Sequence, residues 1–157
     1  MTLTTHAVVG ATLATLIPTH PVLGFVVGFG SHFVLDAIPH WGYSIDKMKR
    51  GEGNPLDGEL IIDKNSFKDL LKIGIDGLLG LLLPFLIFSG IFHQQFYLAI
   101  FMGAIGGMVP DALQFCYFKW KHEPLVSLER FHIWIHSKAS LNLVPTPSVP
   151  DTNTGSL

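Results

Sequence analysis

Formal charge is scarce in this chain: charged residues make up 14% of its 157 positions, hydrophobic ones 48%. An average soluble domain carries about 25% charged residues, so an ordinary water-facing surface is hard to assemble, and a mean hydropathy of +0.43 agrees. A net charge of −2 leaves no basic excess, which argues against nucleic acid as a partner. Cysteine is nearly absent. Cys116 alone, in an apolar stretch, excludes a disulfide framework and a cysteine zinc site. The start, Met1-Thr2-Leu3-Thr4-Thr5-His6, lacks a basic n-region, so no cleavable signal peptide is expected.

What is present is apolar and paired. Segment one runs from Leu3 to Ile17 and segment two from Pro21 to Ile38, joined by Pro18-Thr19-His20. Segment three runs from Phe67 to Phe92 and segment four from Gln95 to Phe118. Joins this short imply two antiparallel helical hairpins. The second pair is long enough for a bilayer, which needs about 20 apolar residues; segment one is short enough to be only partly inserted. Every Lys and Arg lies between Trp41 and Lys72 or after segment four. The positive-inside rule then puts both termini and the central loop in the cytoplasm of a multi-pass inner-membrane protein. The expected fold is all-α: a four-helix membrane bundle of two antiparallel hairpins plus a short C-terminal amphipathic helix at Val126–His136. One helical membrane domain covers 1–138 with a polar loop at 41–66, and 139–157 is a disordered tail. Asp57, Glu59 and Asp63 read as solvated loop carboxylates, and Asn65-Ser66 with Asp69 as a capping-box-like start to segment three.

Ionisable residues interrupt this apolar background at helical spacing. His32-xxx-Asp36 lies on one helical face, while Pro39 tends to end the helix before His40. Segment four echoes segment two: Gly28 corresponds to Gly103 and Asp36 to Asp111, at a constant offset of 75. In antiparallel hairpins His6, Asp36, Asp76 and Asp111 reach similar depth, and His132/His136, again four apart, follow on that side. One ionisable residue per helix at matched depth is how helical bundles build metal sites, and imidazole with carboxylate suits a first-row divalent ion, zinc above all. Taken singly, His32 also fits a buried histidine bonded to a backbone carbonyl, and Asp36 or Asp111 a helix-end group. Asp76, in Gly74-Ile75-Asp76-Gly77, has no local partner, and an unpaired Asp in mid-bilayer costs about 2.5–3.5 kcal/mol on insertion scales. Pro110 is expected to kink segment four and free the Gly106 carbonyl.

Thr5-His6-Ala7-Val8-Val9-Gly10, followed by His32-xxx-Asp36 with Pro39-His40, resembles the membrane-bound metal-dependent hydrolases of bacterial inner membranes, a family distantly related to the zinc-dependent phospholipases C. The resemblance is strongest over residues 3–41 and looser over 103–114 and 131–136. It implies that His6, His32 and Asp36 are metal ligands, with Asp111 and His132 or His136 as additions. The chain carries fewer His and Asp residues than the soluble phospholipases.

The leading expectation is a metal-dependent hydrolase at the cytoplasmic face, acting on a membrane lipid or lipid-linked phosphoester. His6, His32, Asp36, Asp111, His132 and His136 would hold one or two divalent ions. Asp76 or Asp111 would act as general base or orient a ligand. The alternative is a proton- or metal-ion-handling transport protein using the same residues. A third reading is a structural membrane protein whose polar groups join helices, at about 0.6 kcal/mol per bond on average.

Overall fold

The computed structural model describes residues 1–40, 48–49, 56, 59–60 and 66–141. Among these are five α-helices: α1 (Leu3–Ala14), α2 (Pro21–Asp36), α3 (Ser66–Phe88), α4 (Tyr97–Lys119) and α5 (Leu125–Leu141). A two-residue ladder of β1 (Met48–Lys49) on β2 (Glu59–Leu60) is the one strand pairing among the described residues, with Met48 opposite Leu60. The expected solvation of Asp57 and Asp63, the Asn65-Ser66 cap and the disorder of 142–157 lie outside the described residues, as does the side chain of Glu59.

Helix ends follow local chemistry. α1 stops at Ala14, short of the expected Ile17, because Thr15, Leu16 and Ile17 bond three residues back in tightening turns ahead of Pro18. Pro21 opens α2, where its missing N–H costs nothing. Two residues before Pro39, Ala37 and Ile38 form the closing turn beyond Asp36. α3 ends at Phe88, not Phe92, and a 3-10 turn at Gln94–Phe96 leads into α4. α5 is longer than the amphipathic stretch read from sequence, continuing to Leu141 beyond the expected domain end at 138.

Packing registers can be read from close contacts. His6 stacks on His32, Gly10 meets Gly28 and Ala14 meets Gly24, so α1 and α2 run antiparallel. Gly24 meets Ala99, Gly28 meets Gly103 and His32 bonds Gly107, so α2 and α4 run parallel at an offset of 75. The sequence echo is thus a spatial neighbour relation. A Cβ on Gly28 or Gly10 would strike the Gly103 carbonyl oxygen, which is why glycine is needed where three backbones meet. α3 flanks α1 and α4: Gly80 packs on Ala7 and the Met108 sulfur, and Phe85 on Tyr97 and Phe101.

Two helices, spanning Phe67–Phe88 and Tyr97–Lys119, are long and apolar enough to cross a membrane. Only 11% of the first span is buried against 39% of the second, unlike a soluble protein's core helix. Leu71, Ile75, Leu78, Leu82 and Leu86 form an exposed apolar face on α3. A continuous patch of that kind marks a membrane or protein contact.

Candidate metal centre

The first turn of α1 fixes the height of His6. Leu3 N donates to Asp76 Oδ2 at 2.6 Å and Thr4 N to Oδ1 at 3.3 Å, while the Thr4 hydroxyl donates to the Asp76 carbonyl at 2.7 Å. Thr5 N donates to Thr2 Oγ1 and His6 N to the Thr2 carbonyl. The amides of residues 3 to 6 are therefore all satisfied, as a helix start requires. Asp76 is thus engaged in capping α1 from α3 and is not brought into the histidine cluster.

The other six residues named from the sequence form one cluster centred on Asp36, which is 1% exposed. Its Oδ2 lies 3.0 Å from His32 Nε2, 2.9 Å from His132 Nε2 and 3.0 Å from His136 Nε2. Its Oδ1 lies 3.3 Å from His6 Nε2. Asp111 Oδ1 approaches His32 Nε2 at 3.7 Å and His132 Nε2 at 4.0 Å. Three groups within this set place their donor atoms close enough to share an ion: His6/His32/Asp36, His32/Asp111/His132 and Asp36/His132/His136. His40 stands at the edge, with Nδ1 2.7 Å from the Ile38 carbonyl and Nε2 2.7 Å from the Met1 amino group.

Hydrogen bonding alone does not account for this arrangement. His32 Nδ1 lies 2.8 Å from the Gly107 carbonyl oxygen, which only accepts, so Nδ1 carries a proton. In the neutral ring Nε2 is then a lone pair, aimed at a carboxylate oxygen and at His132 Nε2, 3.4 Å away. Acceptors facing one another at this range repel unless a proton or a metal cation lies between them. Three imidazole nitrogens also crowd one carboxylate oxygen, where about two lone-pair sites exist. His6 Nδ1, His6 Nε2 and Asp36 Oδ1 are buried without a hydrogen-bond partner, an exception to the rule that buried polar groups are paired.

A metal ion fits these facts. Zinc–ligand bonds of 2.0–2.2 Å give tetrahedral ligand separations of about 3.3–3.6 Å, near the 2.9–3.4 Å found among Asp36 Oδ2, His32 and His132. A backbone carbonyl holding the far nitrogen of a ligating histidine is the usual outer-shell arrangement. This buried His/Asp cluster is able to hold a metal ion. The single-residue reading of His32 as bonded to a backbone carbonyl also holds, through the opposite ring nitrogen. The carbonyl is that of Gly107, next to the Gly106 carbonyl that Pro110 was expected to free.

The open side is defined by His136 and Asp111, whose side chains are 31% and 23% exposed. Glu129, on α5, was not singled out in the sequence. It is buried and accepts from Gln114 Nε2 at 3.0 Å, tying α5 to α4 beside the cluster. Its signal was the spacing Glu129-xx-His132, which puts both on one face; Gln114 stands likewise three residues after Asp111. No protein-family profile, curated protein or solved structure matches the chain.

Proposed function

We propose that this chain is a membrane-embedded metal-dependent hydrolase with its site at the cytoplasmic face of the inner membrane. In this reading α1 to α4 form a multi-pass four-helix bundle of two hairpins with cytoplasmic termini, and α5 lies along the cytoplasmic surface. The observation that carries it is the convergence of His6, His32, Asp36, Asp111, His132 and His136, with the His32 tautomer set by Gly107. The sequence resemblance to the membrane-bound hydrolases points the same way.

His32, His132, His136 and Asp36 would hold a divalent ion, zinc by the donor chemistry, which would supply an activated water and polarise a phosphoryl or acyl oxygen. Gly107 keeps His32 in register. Asp111, partly exposed at the rim, is placed to take a proton from an entering nucleophile or to complete the ligand set. A membrane lipid or lipid-linked phosphoester is the substrate class such a location favours. The transport alternative needs an ionisable path to the far end of the helices. Beyond the cluster, α1, α2 and α4 meet backbone to backbone through Gly10, Gly28 and Gly103, which weighs against it. Purified protein is expected to retain stoichiometric divalent metal, and His32→Ala to lose it, by elemental analysis. Full occupancy in His32→Ala would remove the proposed site.

A further inference from the structure

The two oxygens of Asp36 face different partners. Oδ2 meets His32, His132 and His136 at 2.9–3.0 Å, drawing on α2 and α5. Oδ1 meets His6 of α1 at 3.3 Å. An ion seated among the Oδ2 partners satisfies those three imidazoles. It leaves Oδ1 and His6 Nε2, both buried, with no hydrogen-bond partner of their own. The Met1 amino group, 3.9 Å from Oδ1, is beyond hydrogen-bond reach. His40 Nε2, at 3.7 Å from Oδ1, is likewise too far and is held by Met1.

His6 is fully buried and stacks on His32 with ring centroids 4.0 Å apart. Its position is set by the capped first turn of α1, so its imidazole is held against Oδ1 by the fold itself. A histidine kept only to fill space would be expected to bond one nitrogen to a backbone carbonyl, as His32 does; neither nitrogen of His6 has a hydrogen-bond partner. His6, His32 and Asp36 also form a donor group close enough to hold an ion, alongside the Asp36/His132/His136 group; with His32 Nε2 turned to Oδ2, His6 and Oδ1 are what remains for a second ion.

We infer that Asp36 is a bridging carboxylate and that the centre takes two divalent cations, the second between Oδ1 and His6. This rests on the metal reading above and deepens it. Paired ions clamp the attacking and leaving oxygens of an in-line displacement, the arrangement a phosphoester substrate would use.

The test uses the full chain, stripped with a chelator and titrated with Mn2+ under electron paramagnetic resonance, with bound metal counted in parallel. The expected result is two ions per chain giving an exchange-coupled spectrum. His6→Asn is expected to bind one ion with the six-line spectrum of isolated Mn2+. One uncoupled ion in the unsubstituted protein would overturn the second position while leaving the metal reading intact. No bound ion at all would overturn that reading as well. The unsubstituted protein decides between these results even if His6→Asn does not fold; if it folds, two coupled ions retained in it would overturn the role of His6.

Discussion

Asp36 and Asp76 look alike in the sequence, each a lone carboxylate in an apolar helix, yet their surroundings are opposites. Asp76 receives two backbone amides at the start of α1. Both are donors, so the carboxylate and the helix end satisfy one another. Asp36 receives imidazole nitrogens, at least one of which has its proton on the far side. With neutral rings, that set is short of positive charge. The difference teaches how to separate a carboxylate that caps a helix from one suited to a metal ion inside an apolar helix: by whether its partners can all donate at once.

The contrast makes predictions of decreasing size. Asp36→Asn should weaken zinc binding by at least about 100-fold, the upper range for losing even an outer-shell partner, in a competition titration against a chromophoric chelator. An affinity within about threefold of the unsubstituted protein would erase the distinction between the two carboxylates. Acid should act next. Metal-bound histidines must be deprotonated, so protons compete with the metal and zinc affinity should fall progressively as pH is lowered. A zinc affinity that does not change as the pH is lowered would argue for ligands other than histidine. The smallest effect belongs to Asp76→Ala, expected to cost about 1–2 kcal/mol, the range for a lost helix cap. Thermal unfolding in detergent should register that loss with metal content unchanged; metal loss together with it would tie Asp76 to the site.

Much of this arrangement is written in spacing. His32-xxx-Asp36 and His132-xxx-His136 lie on single helical faces, and short joins bring His6 and Asp36 to one end of a hairpin. The offset between Gly28 and Gly103 marks two helices that touch in register. Other parts leave no local trace. The partners of Asp76 are backbone amides over 70 residues away, and any sequence offers amides. The Gly107 carbonyl that sets the His32 tautomer is equally silent. Glu129 reads as a surface residue until α5 is docked, because its burial depends on Gln114 across the helix pair. The end of α5 at Leu141 was missed because the apolar pattern fades before the helix does.

X-ray absorption at the zinc edge, on zinc-loaded protein, tests the central claim most directly. The account predicts a nitrogen and oxygen shell with outer scattering from imidazole, averaged over His32, His132 and His136 at one ion and His6 at the second. A shell of oxygen ligands without imidazole scattering would contradict it.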